Sequence, residues 1–171
     1  MVNPKDILVT LKNRDSSNVS TLRTILNAHQ KYKATEMAGK SQMQQLLSKL
    51  SEHNYIKFHR SCNNTDSVKD LFWASPLSID LLHAFPHVLL MDCAYKTNRY
   101  RLPLLEIVGV TSTNMTFSVA SAYLYSEREE HYVWALDKLK SLMDENAQPK
   151  VIVSDRELSL IKAIDKVFST T

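Results

Sequence analysis

The chain has 171 residues, 44% hydrophobic and 23% charged, which suits one domain with an appendage or two very small domains. With a net charge of +3, two glycines and two unpatterned cysteines (Cys62 and Cys93), it excludes a glycine-rich phosphate loop, a disulfide framework and a zinc finger. No apolar run approaches the roughly 20 residues that span a bilayer, and charge interrupts "MVNPKDILVTLKNRD" before any signal-peptide core develops, so a soluble intracellular protein without membrane contact is expected.

Residues 3–50 read as helices. Asn3 caps the first and Pro4 takes its first position, with Ile7, Leu8 and Leu11 on one face. Ser20 or Thr21 opens a second that carries Leu22, Ile25, Leu26, His29 and Tyr32 and ends at Gly39. Ser41 and Gln44 form a capping-box pattern for a third. Residues 1–60 hold ten Lys/Arg against four Asp/Glu, a balance of +6, whereas residues 61–171 hold eleven against fourteen, a balance of −3. The basic first third fits either a solvated helical hairpin or a helix-turn-helix module on a polyanion.

"YIKFHR" (55–60) and "VKDLFWA" (68–74) alternate around the turn-rich "SCNNTDS" and predict a β-hairpin. Ser75 and Pro76 open a short helix that ends at Pro86. Residues 87–96 then form a strand with an unbroken apolar run, buried on both faces. Strands at 102–112 and "TFSVASAYLY" follow; Ser126 and Glu129 then make a capping box for a helix with Tyr132, Leu136, Leu139 and Met143 facing inward. "KVIVS" and a helix with Leu158, Ile161, Ile164 and Phe168 complete the order β-β-β-α-β-α. The chain therefore divides into a helical region at 1–54, a linking hairpin and short helix at 55–86, and an α/β unit at 87–171.

Two acids stand out. Asp92 lies inside the apolar strand, where a carboxylate must be paired, protonated or bound to metal. It is either balanced by Lys96, Arg99 or Arg101, or part of a site. Asp155 directly follows the fourth strand and reads either as a helix N-cap or as a site residue, with Ser154 competing for the cap in a capping box that Glu157 closes. If the first and fourth strands are neighbours, the two carboxylates meet at one sheet edge and call for hard divalent cations, Mg²⁺ or Mn²⁺. Glu127 and Glu130, at the start of the helix after the third strand, read either as complements to that helix N-terminus or as local acids that approach such an edge, with Glu130 kept as an outside candidate. Cys93 faces away from Asp92, and Tyr95 and Tyr100 read as base-stacking residues or as core and rim packing.

"LMDCAYKTNRYRLPLLEIVG", "SEREEHYVWAL" and "VIVSDRELSLIKAI", in this order and spacing, closely resemble the transposase domain of Mutator-like elements (MULE), a family that includes the domesticated far-red-response proteins of plants. The resemblance implies an RNase H-like mixed sheet, incomplete at the C-terminus, and a DDE triad whose first two aspartates map onto Asp92 and Asp155. It implies metal-dependent DNA cleavage and strand transfer in the intact family. The third acid of the family lies beyond residue 171, so this chain is expected to be a truncated, inactive portion. The alternative is a non-catalytic DNA-binding or interaction module. DNA is the implied partner, contacted by Lys12, Arg14, Arg23, Lys31 and Lys33 in the basic region and by Lys96, Arg99 and Arg101 after Asp92. A nuclear location follows from that function, and homo-oligomerisation stays open.

Overall fold

The computed structural model describes residues 3–36, 39, 41–62, 67–95, 97–144 and 147–168, with the side chains of residues 33, 34 and 36 outside that description. The chain falls into two compact units, Met1–Ser48 and Lys49–Thr171.

The first unit is helical. Helix α1 (Pro4–Arg14) starts where the Asn3 side chain accepts from the Lys5 N–H at 3.0 Å, with Pro4 at the position where a missing N–H costs nothing. Helix α2 (Leu22–Glu36) is capped by Thr21, whose hydroxyl accepts from the Thr24 N–H at 3.2 Å. Of its expected apolar face Ile25 is buried, whereas Leu26 and Tyr32 are exposed. Helix α3 (Gln42–Glu52) begins with the expected reciprocal box: Ser41 N–H donates to Gln44 Oε1 at 2.7 Å, and Gln44 N–H donates to Ser41 Oγ at 3.2 Å.

The second unit is α/β, built on a six-stranded mixed sheet. Its strands are β1 (Ile56–Ser61), β2 (Val68–Ala74), β3 (Val88–Ala94), β4 (Leu104–Val110), β5 (Thr116–Tyr123) and β6 (Val151–Ser154). They lie in the order β1-β2-β5-β4-β3-β6, all neighbours antiparallel except β3 and β6. The hairpin β1–β2 is thus an extension of the same sheet, joined through Leu71–Trp73 of β2 to β5. The turn between β1 and β2 falls largely outside the described residues.

Three helices supply the second layer: α4 (Pro76–Ala84), α5 (Glu129–Ser141) and α6 (Leu158–Phe168). Ser75 caps α4 through the Ser78 N–H at 3.2 Å. One face of the sheet gives Phe72, Leu89, Met91, Leu105, Ile107 and Ala122 to the core, where they meet Leu82 of α4, Tyr132, Leu136 and Leu139 of α5, and Leu160 and Ala163 of α6. Burial of about a dozen large aliphatic and aromatic side chains at roughly 1.5–3 kcal/mol each is the main force holding this layer.

Two helix starts differ from expectation. Helix α5 begins at Glu129 with Arg128 at the cap and no side-chain hydrogen bond there, so the Ser126–Glu129 box does not form. Helix α6 begins at Leu158, and Glu157, not Ser154, caps it: Glu157 Oε2 accepts from the Leu160 N–H at 2.8 Å. Among the described residues no helix is long and apolar enough to cross a membrane.

Candidate functional site

Parallel pairing places β6 directly beside β3, with Val88, Leu89, Leu90 and Met91 opposite Val151, Ile152, Val153 and Ser154. The next positions on the two strands are Asp92 and Asp155. On the other side of β3, Asp92 is the direct antiparallel partner of Glu106 in β4. Asp92, Glu106 and Asp155 line one open groove of about 320 Å³ whose floor is Leu90, Val108 and Val153. The two aspartates read from the sequence are therefore brought together, and Glu106 joins them. Its signal was available, because a carboxylate also interrupts "LPLLEIVGV", but only the strand register pairs it with Asp92.

The burial expected of Asp92 is corrected. The side chain is exposed, on the sheet face opposite the helices, while its neighbours Met91 and Cys93 turn toward the core. An apolar run in β3 does bury one face; the other carries Leu90 and Asp92 in the groove. A solvent-facing carboxylate escapes the desolvation cost that made a partner obligatory. Arg99 and Arg101 are exposed, and among the described residues they form no ion pair with Asp92; Lys96 lies outside the described residues.

Asp155 is also exposed, and its Oδ1 accepts from the Glu157 N–H at 3.3 Å, an Asx turn that leads into α6. Glu127 stands on the core side of the same strand ends. Burial raises its carboxyl above the ordinary range, a hydrogen bond with Cys93 opposes that, and the negative charges of Glu157 and Asp155 add to the rise. Burial likewise pushes the Cys93 thiol up to about 12. The Tyr132 hydroxyl, fully buried, has no well-formed hydrogen bond, and the polar group beside it is the weakly accepting Cys93 sulfur. Glu130 faces elsewhere: its Oε1 lies 3.1 Å from His131 Nε2.

The acid that is truly buried is one the sequence did not single out. Asp70, at the centre of β2, is fully buried; its Oδ2 accepts from Arg60 Nε, and its Oδ1 accepts from the Tyr125 N–H at 2.9 Å. His131 Nδ1 lies 2.7 Å from the same Oδ1 and 3.0 Å from the Arg60 guanidinium. The guanidinium of Arg60 also stacks over Trp134 at 5.0 Å, so the network ties β1, β2 and α5 together. The pairing of Arg60 with Asp70 across the hairpin could be read only once the register was known.

In the N-terminal unit, Lys12 and Arg14 occupy the last turn of α1, and Arg23 and Lys31 lie two turns apart on α2; all four are exposed. The Lys33 side chain lies outside the described residues.

As a donor set, Asp92, Glu106 and Asp155 offer hard oxygen ligands of the kind Mg²⁺ and Mn²⁺ take. Among the described residues, neither Asp92 nor Glu106 is engaged by an ion pair. Among those residues, too, no three His, Cys, Asp or Glu side chains converge closely enough to enclose an ion. Such an open arrangement suits an ion held by one or two carboxylates that keeps water or substrate oxygens on its remaining positions.

Residues 88–171 match the family model of the MULE transposase domain. The chain is 30% identical over 106 residues to Protein FAR1-RELATED SEQUENCE 6 of Arabidopsis thaliana, a match that covers 62% of this chain and 15% of that protein. It is 34% identical over 104 residues to Protein FAR1-RELATED SEQUENCE 5 (60% and 13%), and 26% identical over 142 residues to Protein FAR-RED IMPAIRED RESPONSE 1 (82% and 17%), both from the same plant. The chain thus spans less than a fifth of the length of each of these relatives. No solved structure matches it. The part of the α/β unit that carries Asp92, Glu106 and Asp155, residues 88–171, belongs to the MULE transposase domain family.

Proposed function

We propose that this unit is a DNA-processing domain of DDE transposase type in which Asp92 and Asp155, with Glu106 beside them, hold Mg²⁺ or Mn²⁺. The observation that supports this most directly is the β3–β6 register, which makes Asp92 and Asp155 neighbours at one groove. Such an ion, when bound, activates a water or a 3′-hydroxyl and stabilises the departing oxygen of a phosphodiester. The chain's own part is to aim two carboxylates from adjacent strands, whose backbones the sheet holds rigid. DNA as partner and a nuclear location belong to this reading. Two of the three acids that the family resemblance implies fall within these residues, so DNA cleavage by them alone is expected to be absent or slight. Isothermal titration with Mn²⁺ tests the site: the Asp92→Asn/Asp155→Asn double variant should lose the binding that the parent chain has. Equal binding by both proteins would falsify the shared site.

The exposed Lys and Arg side chains on the N-terminal helices support a second reading, a non-catalytic DNA-binding module. Affinity would then come from Lys12, Arg14, Arg23 and Lys31. Neutralising them should reduce the salt dependence of duplex binding, by roughly 0.9 in log–log slope for each phosphate they no longer neutralise. An unchanged slope removes those residues from the interface.

A further inference from the structure

The loop between β3 and β4 serves neither the core nor the carboxylate groove, yet it is tightly built. Asn98 organises it: its side-chain amide donates to the Leu102 carbonyl at 2.6 Å, and its Oδ1 accepts from the Leu102 N–H at 3.1 Å. The Arg101 N–H donates to the Asn98 carbonyl at 3.1 Å, and Arg101 itself is held at φ 56°, the left-handed region that residues with a Cβ enter at a cost. A loop closed in this way leaves Tyr95, Arg99, Tyr100 and Arg101 exposed. Tyr95 is 62% exposed and Tyr100 46% exposed, so neither ring is spent on the core. Arg99 and Arg101 flank Tyr100, are exposed, and form no ion pair among the described residues.

Distance from the candidate site is short. The loop closes at the Ala94–Leu104 pair, two rungs along the β3–β4 ladder from Asp92–Glu106, which is about 7 Å at ~3.4 Å per residue. Cations alone would serve a duplex backbone, which is read without regard to base faces. Two exposed rings, one of them between cations, answer to a different chemistry, because an aromatic face is matched by a base that has left its own stack.

We infer that this loop is a stacking platform for unpaired bases of single-stranded DNA, Tyr95 and Tyr100 taking the bases and Arg99 and Arg101 the flanking phosphates. The inference rests on the reading of the domain as one that acts on DNA, and it specifies the form of DNA held beside the carboxylates. Stacking contributes roughly 1–3 kcal/mol per base, or about 5- to 150-fold in affinity.

The test is fluorescence anisotropy of labelled oligothymidine titrated with the full chain in EDTA, so that the carboxylate site takes no part. Tyr95→Ala/Tyr100→Ala should weaken binding by about tenfold or more with the salt slope retained, whereas Tyr95→Phe/Tyr100→Phe should bind like the parent chain. Arg99→Gln/Arg101→Gln should flatten the salt slope by roughly 0.7 for each phosphate the arginines had neutralised. Photo-crosslinking to iodouracil-substituted oligothymidine gives a readout on the unmutated protein, with adducts expected on Tyr95 or Tyr100. The platform is overturned if the alanine pair binds as tightly as the parent, if the phenylalanine pair is as weak as the alanine pair, or if adducts fall only elsewhere. Preference for a duplex of the same sequence also overturns it. Stacking intact with Mn²⁺ binding absent from the parent chain, or unchanged in the Asp92→Asn/Asp155→Asn variant, sinks the metal reading alone; the reverse result sinks only the platform.

Discussion

Replacing Asp70 with alanine is the sharpest perturbation the fold offers. Asp70 is fully buried and is met from three elements: Arg60 Nε on β1, the Tyr125 N–H after β5, and His131 Nδ1 on α5. Removing one member of a buried charge pair costs about 3–5 kcal/mol, because the partner keeps its desolvation penalty without compensation. Each neutral donor left unmet adds roughly 1–3 kcal/mol. Against this, the Arg60 side chain is 32% exposed and can turn toward water, which relieves part of its share. The balance is a loss of about 3 kcal/mol, a large fraction of the ~5–15 kcal/mol that holds a domain together. Urea denaturation followed by far-UV circular dichroism and by fluorescence of Trp73 and Trp134 measures it. Asp70→Asn keeps an acceptor for the Tyr125 N–H and should lose about half as much. Arg60→Met/Asp70→Leu, which removes both charges, should be less damaging than Asp70→Ala alone. A loss below about 1 kcal/mol for Asp70→Ala, with Asp70→Asn no different, would refute the claim that this network fastens the hairpin to α5.

Gly109→Ala should destabilise the sheet by roughly 1–3 kcal/mol, since a Cβ at that position would sit 2.4 Å from the Phe117 ring on the paired strand; a compensating Phe117→Leu should recover part of the loss in the same denaturation assay. Glu127 has a folded-state pKa raised above its unfolded value of about 4.5, so the folded chain holds the proton more tightly and stability declines as pH rises through that window. Glu127→Gln should therefore raise the melting temperature at neutral pH and lose its advantage below the carboxylate range; an equal gain at all pH values would rule out the ionisation as the cause. With its thiol pushed up to about 12, Cys93 should resist iodoacetamide in mildly alkaline buffer and react once urea unfolds the chain, as peptide mass mapping will register.

Most element types were legible because period and punctuation agreed. Asn3–Pro4, Ser41–Gln44 and Ser75–Pro76 each pair a good cap with a matching apolar face, and each opens a helix where the spacing says. The caps of α5 and α6 were misread for a common reason: "SERE" and "SDRE" each contain a Ser and a Glu at box spacing. The local pattern cannot tell whether the strand end before it leaves the Ser at the turn. In "SDRE" the Asx turn of Asp155 pushes the helix start on to Leu158, and Glu157 inherits the cap. Glu106 and Asp70 escaped notice because their meaning lies in cross-strand partners, and strand register is a long-range property that a single sequence does not print.

The error over Asp92 and the oversight of Asp70 are one lesson in opposite directions. Asp92 stands in an apolar run, but a strand alternates its side chains, so the buried face is filled by Leu89 and Met91 while Asp92 looks into the groove. Asp70 stands in an alternating hairpin strand, yet it is sealed under α5 with every carboxylate oxygen satisfied. Burial with saturated hydrogen bonding leaves no coordination site free, so Asp70 is fitted for holding structure and poorly fitted for chemistry. The reverse condition is an open position without an ion-pair partner among the described residues, and exposed Asp92 and half-buried Glu106 have it side by side. A cation arriving at that pair would break no ion pair among the described residues, which is why the metal ligands proposed for this domain are placed on its uncovered face.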